Sequence, residues 1–193
     1  MRAAWDRAYR RGGRMYGGAP RDLPSLPNGT RGREVGGGDG KSLLAMAGRG
    51  WDIVATDFSR EAIRISSGHR VLHTVRFIQA DASALPFQRE SFDAVFLYHL
   101  LGHIPGKRRK VVASEIERIL IPGGRVFLRV FSIRDFRNGR GILTEPNTYQ
   151  RGEGVSTHYF STEEVESFFP GLILTAITNS DWTMKVRGVL LTR

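Results

Sequence analysis

Residues 34–42 read Glu-Val-Gly-Gly-Gly-Asp-Gly-Lys-Ser, with four glycines in five positions. The segment follows a short strand-like run (30–35) and precedes an apolar run of helical character (41–48). Glycine admits positive φ and leaves no side chain between the backbone and a ligand. A strand, glycine loop and helix in that order belong at the carboxyl end of a strand in an open α/β sheet. The rest of the chain agrees. Short apolar runs at 52–57, 75–80, 92–98 and 126–131 read as strands. Between them lie a helix opened by Ser59 as its N-cap and another over 107–120, with Val112, Ile116, Ile119 and Leu120 on one face. Strands alternating with helices predict a parallel sheet with right-handed crossovers. After Ser132 the pattern changes. Residues 133–160 are polar, carry Pro146 and four glycines without a period, and read as a long functional loop. Ser161 with Glu164 three residues on opens a last helix, and 172–178 and 186–192 read as closing strands antiparallel to each other. The expectation is one α/β domain over 1–193, with seven strands, mostly parallel.

Composition sets further bounds. The chain of 193 residues is 40% hydrophobic and can bury a sizeable core. It has no run of 18 apolar residues to cross a membrane. Residues 1–7 lack the apolar centre of a secretory signal, so a cytoplasmic protein with no membrane partner is expected. Cysteine is absent, which excludes disulfides, thiolate zinc sites, iron–sulfur clusters and thiol nucleophiles. The net charge of +10 is concentrated in two segments. Residues 1–33 hold eight arginines against Asp6 and Asp22, and residues 125–151 hold six against Asp135 and Glu145. A general nucleic-acid-coating protein would spread that charge along one face.

Three ligand classes compete for the glycine loop. Gly40-Lys41-Ser42 matches the end of a nucleoside triphosphate loop, but the glycine required five residues before Gly40 is replaced by Val35. A dinucleotide fingerprint aligns Gly36 and Gly38 but meets Lys41 where a third glycine permits close helix packing. The third class is a ligand without phosphate, S-adenosylmethionine. Glu34-x-Gly36-x-Gly38-x-Gly40 resembles motif I of the class I S-adenosylmethionine-dependent methyltransferases. The resemblance continues in order. It takes in Asp57 at the end of the second strand, Ala80-Asp81-Ala82 with Leu85-Pro86-Phe87, Phe92-Asp93-Ala94-Val95, Leu101-Gly102-His103-Ile104, and Ile119 through Gly124. Trp5-Asp6, Tyr9 and Tyr16-Gly17 are similar to the cofactor-covering arm of small tellurite-resistance-type and type 11 members, and His158-Tyr159-Phe160-Ser161 to their segment before the last helix.

The resemblance implies a Rossmann-like three-layer sandwich whose last strand is antiparallel, with an N-terminal arm (1–29) over the cofactor and residues 133–160 on the substrate side. It implies S-adenosylmethionine as methyl donor, S-adenosylhomocysteine as product, and cofactor contacts from Glu34, Gly36, Gly37, Gly38, Gly40, Asp57, Phe58, Asp81, Ala82, Leu97, Tyr9, Arg14 and Tyr16. Asp57 is expected to take the ribose hydroxyls, because a carboxylate can accept two hydroxyl hydrogens. A base, where the acceptor needs one, is sought among Tyr98, His99, His103 and His158. His99 and His103 stand four apart, but the zinc-protease motif needs Glu where Leu100 stands; no metal is expected, one histidine lining the pocket and the other being structural. The arginines of the arm and of 133–160 suggest an anionic small-molecule acceptor. The alternatives are a nucleic-acid acceptor and a non-catalytic cofactor-binding module.

Overall fold

A computed structural model describes residues 1–13, 20, 22–152, 154–181 and 185–192, with backbone alone described from 174 onward. The expected strands form where short apolar runs can be buried on both faces: β1 (Arg31–Val35), β2 (Asp52–Asp57), β3 (Arg76–Gln79), β4 (Phe92–Tyr98) and β5 (Leu120–Phe131). They pair in parallel in the order β3-β2-β1-β4-β5. The sheet is completed by β10 (Lys185–Thr192), antiparallel to β5, and by β9 (Ile173–Asp181), antiparallel to β10. Along β4 the side chains alternate. Ala94 and Phe96 join Leu43, Met46, Ile53 and Phe127 on one face, while Val95 and Leu97 join Val112, Ile116, Ile119 and Phe169 on the other. Helix α4 (Gly106–Ile119) and helix α5 (Thr162–Ser167) cover the second face, and α2 (Lys41–Met46) the first. The layered α/β architecture therefore matches the sequence expectation. The strand order reverses between β1 and β4, which opens a crevice at the carboxyl ends of these strands.

Local capping follows the sequence. Ser59 caps α3 (Arg60–Ser67) by accepting the Ala62 N–H at 3.2 Å, and Ser161 caps α5 by accepting the Glu164 N–H at 3.2 Å. The expected turn at Pro122-Gly123-Gly124 lies inside β5 as a bulge: the register with β4 jumps from Phe92–Leu120 to Ala94–Arg125, and Gly123 takes φ +76°.

Two regions differ from expectation. Residues 133–160 do not form one long loop. They fold into a separate antiparallel sheet of β6 (Ile142–Glu145), β7 (Thr148–Arg151) and β8 (Val155–His158), so the described residues form ten strands, seven in the main sheet and three in this one. These strands are four residues each and bury Thr148, Thr157 and His158 instead of an apolar stripe, so hydrophobic periodicity carries no trace of them. The arm contains helix α1 (Arg2–Gly12), masked by its arginines, although its buried residues Trp5, Ala8 and Tyr9 do show helical spacing. Helix α1 lies on α3, where Asp6 Oδ1 accepts the Ser59 hydroxyl at 2.6 Å and the Glu61 N–H at 3.5 Å. The two sheets meet where Ile133 N–H donates to Phe160 C=O at 3.0 Å and Phe160 N–H to Phe131 C=O at 2.8 Å. Among the described residues no helix is long and apolar enough to cross a membrane.

Candidate cofactor and acceptor site

The crevice holds a cavity walled by the glycine loop, the ends of β2, β4 and β5, and helix α1. Its floor is mostly main chain. Gly36 and Gly37 N–H groups donate to Thr56 C=O at 2.8 and 3.0 Å, and Gly38 N–H donates to Asp57 Oδ2 at 3.0 Å. Two glycines are sterically required. Gly36 has φ +78°, and a Cβ there would lie 2.8 Å from Leu100 Cδ1; Gly38 has φ +55°, and a Cβ there would lie 2.8 Å from the Tyr9 hydroxyl. The arm thus closes directly onto the loop.

Asp57 lies in the wall, its Oδ1 accepting the Ser59 N–H at 2.8 Å. Burial pushes its carboxyl up to about 6, against backbone hydrogen bonds that lower it. Phe58 lies beside it and packs against Trp5 and Tyr9. Asp81 and Ala82 line the far side. Asp81 accepts from the Ser83 N–H at 2.9 Å, from the Ser83 hydroxyl at 2.8 Å and from Arg108 Nη2 at 2.8 Å; burial would raise its carboxyl, but these bonds hold it below the usual range. Arg108, on α4, carries no motif signal of its own.

Other expected contacts stand back from the cavity. Glu34 is buried beneath the loop, not in the wall; desolvation pushes its carboxyl up to about 8 against a hydrogen bond with Ser42, and its Oε2 has no partner. Gly40, at φ +85°, starts α2 and packs on Ser66 and Leu72. Leu97 is wholly buried in the core next to the site. Arg14 and Tyr16 lie outside the described residues.

Tyr98, His99 and His103 all line the cavity, so the two histidines share the wall rather than dividing into one lining and one structural residue. Tyr98 sits under the Arg129 guanidinium, 4.8 Å from its ring centre, and burial raises its hydroxyl above the ordinary range. His99 takes φ +61°, unusual for a side-chain-bearing residue, stacks on Phe131 at 4.5 Å and leaves a buried Nδ1 without a partner. Burial, aided by His103, Arg129, Arg137 and Lys41, pushes it down to about 3. His103 donates from Nδ1 to Ser156 C=O on β8 at 2.7 Å, which fixes its tautomer, and stands 4.8 Å from the Trp5 ring; burial pushes it down to about 4. His158 is elsewhere. Both its nitrogens are engaged, Nε2 with Glu164 at 2.8 Å and Nδ1 with the Thr148 hydroxyl at 2.7 Å, and it fastens the small sheet to α5 instead of facing the cavity.

The arginines are mostly committed. Arg129, the one arginine among the described wall residues, pairs with Asp22 of the arm at 2.6 Å. Arg137 pairs with Asp135 at 2.9 Å, Arg151 bonds the Tyr159 hydroxyl, and Arg134 and Arg140 are exposed away from the cavity.

Comparison with known proteins agrees with this geometry. A family described as a methyltransferase domain matches residues 33–128, about half of the chain. The chain is 28% identical over 171 residues to a tRNA N(3)-cytidine methyltransferase of Gallus gallus, covering 82% of this chain and 46% of that protein. It is 36% identical over 117 residues to a demethylmenaquinone methyltransferase of Renibacterium salmoninarum, covering 61% and 48%. The chain therefore spans about half the length of these curated relatives. In fold it is similar to an S-adenosylmethionine-dependent methyltransferase of Methanosarcina mazei, with a TM-score of 0.77 at 20% identity over 87% of this chain and 94% of that one. It is also similar to a Burkholderia thailandensis 1,6-didemethyltoxoflavin-N1-methyltransferase with bound S-adenosylhomocysteine, with a TM-score of 0.66 at 14% identity over 100% and 77%. With motif order, switch-point cavity and family match in accord, the chain belongs to the class I S-adenosylmethionine-dependent methyltransferases.

Proposed function

We propose that this chain transfers the methyl group of S-adenosylmethionine to a small molecule enclosed behind α1. The donor, when bound, supplies a methyl group on a positively charged sulfur and needs no further activation. The residues present fit it. Gly36, Gly37 and Gly38 leave a cradle that any Cβ at Gly36 or Gly38 would fill. Each Asp57 oxygen already accepts one backbone N–H and keeps a lone pair for a ribose hydroxyl. Phe58, Asp81 and Ala82 offer the adenine face and edge. Glu34 holds the loop from below through Ser42, and its unpartnered Oε2 lies beneath the glycine cradle. Trp5 and Tyr9 exclude water, which strengthens every polar contact inside. His103, fixed with its proton on Nδ1 by Ser156 and lining the cavity, is the candidate base for an acceptor hydroxyl or amine.

The packing of Tyr9 of α1 onto Gly38 carries this reading, because it covers part of the cavity above the glycine loop and narrows what can enter. The two cationic side chains of the described wall, Arg129 and Lys41, are each paired with an aspartate, so the acceptor need not be anionic. A second reading, an RNA acceptor, is favoured by the similarity to tRNA methyltransferases and by the exposed Arg2, Arg7 and Arg11 on α1. Calorimetry with S-adenosylhomocysteine should give tight binding, and its absence would overturn both readings. RNA retention that falls steeply with salt, by about 0.7 log units of affinity per log unit of salt for each phosphate contacted, would select the second.

A further inference from the structure

A second cavity adjoins the first. It lies between α1, the turn at Leu101–His103 with Ile104 and Pro105, and the small sheet, and it shares Met1, Trp5, His103 and Ile104 with its neighbour. Resting on the methyltransferase reading above, we propose that this cavity holds the body of the methyl acceptor, and that the acceptor carries a protonated or N–H-bearing nitrogen rather than an acidic group.

The charges argue for that class. Among the described lining residues no lysine or arginine side chain occurs, the charged side chain of the wall is Glu145, and Met1, which bears the α-ammonium, also lines it. Glu145 accepts the Gly106 N–H at 3.0 Å and Arg109 Nη2 at 3.4 Å, yet 38% of its side chain stays accessible. Arg109 is buried behind it and also faces Glu164 at 3.8 Å, so one guanidinium serves two carboxylates. The other polar groups are hydrogen-bonding: the Thr144 hydroxyl, the Gln150 amide and the main chain of β8. Arg137 and Arg151 lie near enough to act on His103, but neither lines this cavity and Arg137 is paired with Asp135. A carboxylate or phosphate placed beside Glu145 would meet a like charge and no lysine or arginine side chain of the wall, whereas an ammonium or ring N–H finds acceptors. His103 stands in the shared wall, where an acceptor seated in the second cavity meets the first.

Matched probes of opposite charge test this. Tryptamine and indole-3-propionate, and phenethylamine and 3-phenylpropionate, are compared by ligand-observed NMR on the full chain with saturating S-adenosylhomocysteine. The amine of each pair should bind at least about tenfold more tightly than its acid, the scale of one hydrogen bond to a charged group. Thr144→Lys puts a cation in the wall without touching the Arg109 pairs and should abolish the preference; Glu145→Gln should weaken it, with the melting temperature reporting whether the fold survives. Acids binding as well as amines, or an amine preference that survives both substitutions, would overturn the proposal. Failure of S-adenosylhomocysteine to bind would instead overturn the methyltransferase reading, while the charge preference of the cavity is still read from the probes alone.

Discussion

The floor and the cover of the cavity are built by opposite means. The floor is main chain and carboxylate: the Gly36, Gly37 and Gly38 amides are fixed by Thr56 and Asp57, and burial raises Glu34 and Asp57 to about 8 and 6. The cover is side chain and imidazole: Trp5 and Tyr9 from α1, and His99 and His103 held neutral by burial and nearby cations. Contacts in the floor come from three short strand ends of one sheet, whereas the cover joins residues 1–12, 99–104 and 142–156. A floor fixed by the backbone tolerates little change. A cover made of side chains can change more freely with the acceptor.

The largest expected break is Gly38→Val. A β-branched residue at φ +55° with its Cβ against Tyr9 should cost about 3 kcal/mol or more, lowering S-adenosylhomocysteine affinity over a hundredfold by calorimetry. Asp57→Ala comes next, at about ten- to hundredfold. Because Asp57 titrates near 6 in the folded chain, wild-type affinity should fall as pH drops through 6, a fall that Asp57→Asn should lack. Arg33→Leu sharpens the comparison from outside. Arg33 sits on β1 beside Glu34 but faces away from the cavity, fully buried over Phe87 at 4.1 Å, with no partner for its three nitrogens. Its replacement should raise stability by about 1–4 kcal/mol in chemical denaturation and leave cofactor affinity unchanged. Burial pushes Arg33 down to about 9. Below pH 9 both folded and unfolded chains carry the charge, while above it the folded chain sheds the proton and gains stability, so the advantage of Arg33→Leu should shrink. The smallest effect is expected for His158→Gln: about 1 kcal/mol lost from the anchoring of the small sheet, with cofactor affinity intact. A loss of cofactor affinity in that variant would mean that cover and floor are coupled.

Legibility follows the same division. Residues 52–57 and 92–98, the caps at Ser59 and Ser161, and the glycine loop could be read because each is fixed by short-range pattern. Gly36, Asp57 and Asp81 fell where the motif order put them. Leu97 and Gly40 lie next to the site but serve packing, a distinction that spacing along the chain does not encode. Helix α1 had a signal in Trp5, Ala8 and Tyr9 that its arginines outweighed. The small sheet had none, because polar partners stabilise it: His158 between Thr148 and Glu164, and Arg109 between Glu145 and Glu164. Such networks join residues 6 to 55 positions apart in sequence and depend on three-dimensional placement.

The packing of Trp5 has an optical consequence. Its ring stands edge-on to His103 at 4.8 Å and borders both cavities, whereas Trp51, just before β2, is stacked on Phe96 and lines neither. A protonated imidazole quenches a neighbouring indole, but burial pushes His103 down to about 4, so it does not act on Trp5 as a charged quencher near neutral pH. Any molecule entering either cavity changes the polarity around this one chromophore. Filling of either cavity should thus change the colour and intensity of the Trp5 emission, with no label attached.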